Sequence, residues 1–218
     1  SIEIPNFNSD GVLLLSHLNS DQKSPGFIFQ RISSGEKHPT KTMIGIEIEK
    51  IITINNANPM TKLRKILMDQ RNNIYCEETI DHIGAFGYVS YECFKYFEKT
   101  PNFKADPLGC PESLFLVPKT IATIHHDQNT LTLSTIVSSS QEIDSYEKGK
   151  NKLEDLAKNI YSFNFNLNKI NAEIDRFLNT KSLPIVEKKD YLKNISNIKN
   201  QIIEGELIQC VLTQRFQK

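Results

Sequence analysis

Asp190 to Phe216, DYLKNISNIKNQIIEGELIQCVLTQRF, joins an amphipathic segment to an apolar one through a single glycine. Tyr191, Leu192, Ile195, Ile198, Ile202 and Ile203 recur three and four apart with lysines and asparagines between them, the spacing of one apolar helix face. Gly205 lies just past the last of them, where a left-handed residue can close a helix. Beyond it a strand is predicted, with Ile208, Cys210, Leu212 and Phe216 on one side and Leu207, Gln209, Val211, Thr213 and Arg215 on the other. The first side reads as core. The second is mixed enough to line a site, which makes Gln209, Thr213 and Arg215 candidate site residues, and a strand this polar on one face belongs to a larger sheet than the chain supplies.

Working outward, Leu13–Leu18 and Gly26–Ile32 form short elements around a turn, followed by strands near Thr42–Ile48 and Lys50–Asn55. Asn58 before Pro59 starts a helix through Met68 whose buried stripe is Met60, Leu63, Ile66 and Leu67. A strand over Ile83–Ser90, a short helix through Phe97, a proline-bearing loop over Pro101–Pro111 and a strand pair within Lys119–Val137 come next. A helix over Ser140–Tyr161 buries Tyr146, Leu153, Leu156 and Ile160. The asparagine-rich stretch from Ser162 is a linker with one short helix near Ala172–Leu178. Runs of strands with helices between and after them predict an α+β fold, a mixed and mainly antiparallel sheet layered with helices.

A chain of 218 residues suffices for one large domain or one domain plus part of another. Lys+Arg and Asp+Glu number 26 each, so there is no electrostatic footprint for nucleic acid or an acidic membrane. No apolar run approaches the roughly 20 residues that cross a bilayer, and SIEIPNFNSDG has neither part of a secretion signal, so a cytoplasmic protein with a small-molecule ligand is expected. Cys76, Cys93, Cys110 and Cys210 have no CxxC pairing and are expected to be reduced and mostly buried. His125 and His126 sit where one strand turns into the next, and adjacent strand residues face opposite ways, so no metal site is expected in this chain. Gly84 and Gly87, flanking Phe86, are expected to mark close backbone packing.

Several of these stretches resemble one family in order. GELIQCVLTQRF with its preceding helix resembles the start of the chorismate-binding domain of anthranilate synthase component I and aminodeoxychorismate synthase component I. IGAFGYVSYECFKYFE, Ile83 to Glu98, resembles the family's GGAxGYxxYDxxRxFE signature, with Ile83 in place of the first glycine. TMIG at Thr42 to Gly45 resembles SFIG, and DPLGCPESLFLVPKTIATIHHDQNTLTL resembles the DPLxLPDxxFMLxDTxVxxDH region. The resemblance implies an N-terminal region over 1–161, a linker over 162–186 and the first helix and strand of the chorismate-binding domain over 187–218.

The family reaction is attack of ammonia on chorismate with loss of the 4-hydroxyl and elimination of pyruvate, giving anthranilate. Magnesium holds the ring carboxylate, and a glutamine amidotransferase subunit or fused domain supplies ammonia. The metal-binding glutamates and catalytic histidine of the family are expected beyond the position matching Lys218, so this chain alone should be inactive. At the position matching Gln209 the water-using members carry lysine as general base, whereas glutamine has no basic nitrogen and can only orient a partner, which points to the ammonia-using branch. Tryptophan-inhibited members carry an LLES segment and a basic residue before SFIG. Here Phe27 to Arg31 reads FIFQR, so Gln30 and Arg31 replace the Glu and Ser, with Lys41 as the basic residue, and the reversed charge disfavours an amino-acid effector's ammonium. Anthranilate synthase is the favoured branch, and aminodeoxychorismate synthase component I of the folate pathway and a non-catalytic regulatory or binding module of the same fold are the other readings.

Overall fold

The computed structural model describes residues 1–7, 9–19, 24–71, 84–99, 108–137, 142–162 and 179–217. They fall into two compact units, Ser1–Phe163 and Asn164–Lys218.

The first unit is built on one antiparallel sheet. Its strands are β1 (Ile2–Ile4), β2 (Phe27–Arg31), β3 (Lys41–Ile54), β4 (Phe86–Val89), β5 (Ser113–His125) and β6 (Thr130–Thr135), in the order β1-β6-β5-β3-β2 with β4 also paired to β5. The helices are α1 (Gly11–Leu18), α2 (Pro59–Arg71) and α3 (Glu142–Tyr161), and a 3-10 helix spans Tyr91–Tyr96. The predicted mainly antiparallel sheet with helices against it is therefore what forms.

Two strands were expected between Thr42 and Asn55, and the structure has one, β3, interrupted by a bulge. The register passes from Ile48 opposite Pro118 to Lys50 opposite Val117, and Glu47 takes φ 54°. An extra residue reverses which way later side chains point. Ile44 and Ile46 therefore share a core with Leu14, Ala122, Leu133 and Leu153, while Ile52 and Ile54 join Phe115 and Val117 in a second cluster packed by Leu63 and Ile66 of α2. The Thr120 hydroxyl donates to Glu47 Oε2 at 2.6 Å, and Lys152 of α3 forms an ion pair with the same carboxylate. Burial opposes ionisation of Glu47, but the bonds from Lys152 and Thr120 outweigh it and hold the carboxyl below its ordinary pKa.

Asn58 caps α2 as predicted, its Oδ1 accepting from the N–H groups of Met60 and Thr61 at 3.0 and 3.3 Å. Met60 and Tyr146, expected inside, are exposed at 43% and 66%. α2 and α3 each bury a narrower stripe than the apolar pattern suggested, and α3 fills its contact with the smaller Ala157 beside Leu153 and Ile160. Cys93 is buried, but Cys110 and Cys210 are exposed, contrary to expectation, because the segments bearing them carry little packing of their own. Cys76, Ile83, most of the 101–111 loop, the first residues of the helix expected from Ser140, and the short helix expected over 172–178 lie outside the described residues.

The second unit contains β7 (Leu183–Pro184), α4 (Lys188–Ile203) and β8 (Phe216–Gln217), with β7 and β8 paired antiparallel. β7 falls in the stretch expected to be linker. Gly205 closes α4 at φ 81°, the conformation its position predicted.

Candidate functional site

The expected strand over Leu207–Phe216 is not formed. Regular pairing is confined to Phe216 and Gln217 opposite Pro184 and Leu183, and 207–215 has no strand partner among the described residues. Alternation buries a face only when neighbouring strands and a covering layer exist. Among the described residues only Phe216 and Gln217 have a strand neighbour, and Ile208 of the expected core face is 99% exposed, with Cys210 and Phe216 exposed as well.

Gln209, Thr213 and Arg215 all lie exposed on this extended segment. Three bonds anchor its second half, the first from the Ile185 N–H to the Arg215 carbonyl at 3.0 Å. The Tyr191 hydroxyl donates to the Leu212 carbonyl at 3.3 Å, and Gln214 Nε2 donates to the Val186 carbonyl at 2.9 Å. Gln214 thus has a positioning role within the segment, and the free side chain of the two glutamines is presented by Gln209, which has no hydrogen bond among the described residues.

The candidate effector residues lie in the first unit on the β2–β3 hairpin. Arg31 is directly opposite Lys41, and Gln30 opposite Thr42. Opposed residues share a face and successive residues alternate, so Arg31 and Lys41 are brought together while Gln30 turns to the other side. There Gln30 Nε2 donates to Thr42 Oγ1 at 3.4 Å, and that hydroxyl meets His126 Nε2 at 2.8 Å. His126 is therefore engaged in the sheet. The Arg31–Lys41 face continues through Phe29 and Met43 to Thr123, and through Phe27 and Gly45 to Ile121 and Ser134. Phe27 stacks on Phe86 at a centroid separation of 4.4 Å, and Phe29 lies 5.8 Å from the same ring. Thr123 Oγ1 and Ser134 Oγ are buried with no hydrogen-bond partner among the described residues. Unsatisfied buried hydroxyls are uncommon. No motif distinguished these two from ordinary strand residues, so only the register reveals them.

The IGAFGYVSYECFKYFE block closes on Glu112. Lys95 forms an ion pair with Glu112 Oε1, the Tyr96 hydroxyl donates to Oε2 at 2.7 Å, and the Asn56 N–H donates to Oε2 at 2.9 Å. The Glu112 N–H in turn donates to Asn55 Oδ1 at 3.0 Å. The Lys95 bond, followed by that of Tyr96, holds the Glu112 carboxyl below its ordinary pKa, and Glu112 raises that of Lys95. A depressed carboxyl stabilises the fold above its unfolded pKa and loses that contribution as pH falls through its folded pKa. A raised lysine does the converse as pH climbs. Glu112→Gln should therefore lower the melting temperature at neutral pH by roughly 2–4 °C, the scale of about one lost hydrogen bond. Thermal melts across the acid range should show parent and variant converging as Glu112 protonates, and a constant gap would exclude the ionised network.

Comparison with known proteins places these elements. The profile of the chorismate binding enzyme family matches residues 20–218. The chain belongs to this family. It is 26% identical over 198 residues to "Probable anthranilate synthase component 1" of Schizosaccharomyces pombe, covering 89% of this chain and 40% of that protein. It is 25% identical over 219 residues to anthranilate synthase component 1 of Saccharomyces cerevisiae, covering 93% and 42%. The crystal structure of anthranilate synthase component I from Streptococcus pneumoniae superposes with a TM-score of 0.59 at 16% identity, over 96% of this chain and 49% of that one, which shows a shared fold. The chain thus spans about two fifths of the length of the curated relatives it matches. Among the described residues of this family member, no helix is long and apolar enough to cross a membrane.

Proposed function

We propose that this chain is the N-terminal portion of an anthranilate synthase component I, a lyase that converts chorismate and ammonia to anthranilate and pyruvate in tryptophan biosynthesis. The observation that carries the reading is the family match running through the Gln209 segment, alongside relatives named for that activity. Gln209 would orient ammonia or substrate, with Thr213 and Arg215 beside it on the completed strand. Residues 187–218 would open the chorismate-binding portion, after an N-terminal region over 1–161 and a linker over 162–186. Ammonia would come from a glutamine amidotransferase partner, in the cytoplasm. Magnesium would be held by carboxylates in the remainder of the enzyme, and no step is assigned to it here.

The test is to join the chain to the remainder of a chorismate-binding enzyme and supply chorismate with ammonium. Anthranilate fluorescence is expected from the joined protein and none from residues 1–218 alone. Formation of 4-amino-4-deoxychorismate instead would assign the folate branch, and absence of either product would favour a binding module.

The Arg31–Lys41 face supports an effector site on the first unit, because two buried hydroxyls without partners among the described residues lie on it. Its two cations favour an anionic group and oppose an ammonium. Arg31→Ser removes one of them, and tryptophan binding to the joined protein should then appear in a calorimetric titration. A flat titration for the variant would count against an amino-acid effector.

A further inference from the structure

We propose that Gln214 and Tyr191 are positioning residues that fix the register and facing of residues 207–215, so that Gln209, Thr213 and Arg215 are the side chains this segment turns toward substrate. The assignment rests on the function proposed above. Both residues act through the segment they hold and not on the reacting atoms.

The register begins in β7 and β8, where Leu183 lies opposite Gln217 and Pro184 opposite Phe216. One step toward α4 on one strand matches one step back on the other, so Ile185 falls opposite Arg215 and Val186 opposite Gln214. The Ile185 N–H donates to the Arg215 carbonyl at 3.0 Å, in keeping with that count. At the next pair the tie is a side chain. Gln214 Nε2 reaches the Val186 carbonyl at 2.9 Å, immediately before Glu187 caps α4. A second tie comes from the helix itself, where the Tyr191 hydroxyl donates to the Leu212 carbonyl at 3.3 Å. Tyr191 opens the apolar stripe of α4, but its polar tip can do what the isoleucines after it cannot.

Two residue pairs are too few to hold a register alone, and Pro184 brings no N–H to the ladder. In an extended chain a slip of one residue exchanges the two faces. Such a slip here would replace Gln209, Thr213 and Arg215 by Ile208, Leu212 and Gln214. Ties at both Leu212 and Gln214 oppose the slip, and they also oppose rotation about the chain axis, which a single bond would permit. Exposure follows the ties. Leu212 and Gln214 are half-buried, whereas Val211, Thr213 and Arg215 are exposed. Alternation gives Gln209 the parity of Thr213 and Arg215. The two glutamines therefore divide the roles: the Gln214 amide is committed to Val186 and holds the segment, and the Gln209 amide is left for a ligand.

The experiment combines steady-state kinetics of the joined protein with amide hydrogen exchange of residues 1–218. Gln214→Met keeps the side-chain length and removes the donor. Its kcat for ammonia-dependent amination should fall about 10-fold while KM for chorismate changes less than about 2-fold, since a misfaced segment loses orientation and not the substrate contacts made elsewhere. Tyr191→Phe removes the longer of the two bonds and should lower kcat about 3-fold. Gln214→Glu puts a carboxylate, which only accepts, against the Val186 carbonyl. Its activity relative to the parent should rise as pH falls from about 8 to about 5, because the protonated carboxyl regains an O–H donor. The same ratio for Gln214→Met should stay flat. In the free chain Gln214→Met should speed exchange of the Ile185 amide about 5-fold, the scale of one hydrogen bond, with the melting temperature unchanged. Parent-like kcat for Gln214→Met overturns the assignment, as does an Ile185 amide indifferent to that substitution or a Gln214→Glu ratio that ignores pH. Faster Ile185 exchange in Gln214→Met, beside a joined parent that makes neither aminated product, sustains the positioning by Gln214 and removes the proposed function.

Discussion

Gly87→Val should lower the melting temperature by about 10 °C. A Cβ at Gly87 would stand 1.8 Å from the Leu114 carbonyl oxygen and 2.7 Å from the Phe115 Cα. Both obstacles are backbone, so no rotamer change relieves them. Gly87 lies opposite Phe115 in the β4–β5 ladder, and accommodating even one methyl requires that ladder to separate. Overpacking costs about 3 kcal/mol when the surroundings cannot yield, and each kcal/mol corresponds to roughly 3 °C in a unit of this size. The damage should spread to the 3-10 helix over Tyr91–Tyr96, because the Ser90 N–H donates to the Glu112 carbonyl at 2.8 Å immediately after β4. Gly84→Val is the control. Among the described residues the nearest atom to its Cβ is on the Phe86 ring at 3.9 Å, ordinary contact, so that variant should melt close to the parent. Circular dichroism melts of both variants separate the two glycines, and an unchanged midpoint for Gly87→Val would argue against close backbone packing there.

The contrast between those glycines shows where sequence reading ends. Both sit in one motif, and pattern alone gave them one role, but only the strand register puts Gly87 against a neighbouring carbonyl. The α2 cap was legible because Asn58 bonds N–H groups two and three residues on, within the reach of local chemistry. Sheet class was legible for a related reason, since strand periodicity and turn residues are local signals. The β3 bulge was not. Glu47 adopts a left-handed conformation held by Thr120 from β5 and Lys152 from α3, partners more than seventy residues away in sequence that no window around Glu47 contains. The same limit governs the candidate residues. Sequence reading grouped Gln30 and Arg31 in one pocket, whereas the register turns them to opposite faces, and the hydroxyls of Thr123 and Ser134 join the Arg31 face only through two further strand pairings. At 207–216 the pattern described a strand whose neighbours are not among the described residues, and side chains meant for burial stand in solvent.

Gln209→Lys in the joined protein should reduce ammonia-dependent anthranilate formation roughly 10- to 100-fold in kcat/KM. Glutamine offers one carbonyl acceptor and two amide donors and exchanges no proton at neutral pH. It can hold a neutral nucleophile such as ammonia by accepting from it while its own amide orients a second group. Lysine reverses that role. An ammonium has three donors and no acceptor, so it repels protonated nucleophile and cannot receive a hydrogen bond from neutral ammonia. Once desolvated under a covering strand its pKa falls, and the free amine becomes a general base able to activate water. Loss of amination should therefore be accompanied by a rise in hydroxylated product, detectable by chromatography of the reaction mixture. Gln209→Met keeps the length and removes the hydrogen bonds, so it should lose amination without gaining water chemistry. The exposed position of Gln209 in the free chain makes a merely structural explanation easy to separate, since neither substitution should alter the melting temperature of residues 1–218. Undiminished amination by Gln209→Lys would remove Gln209 from the site and leave Thr213 and Arg215 as the groups on this segment able to meet substrate.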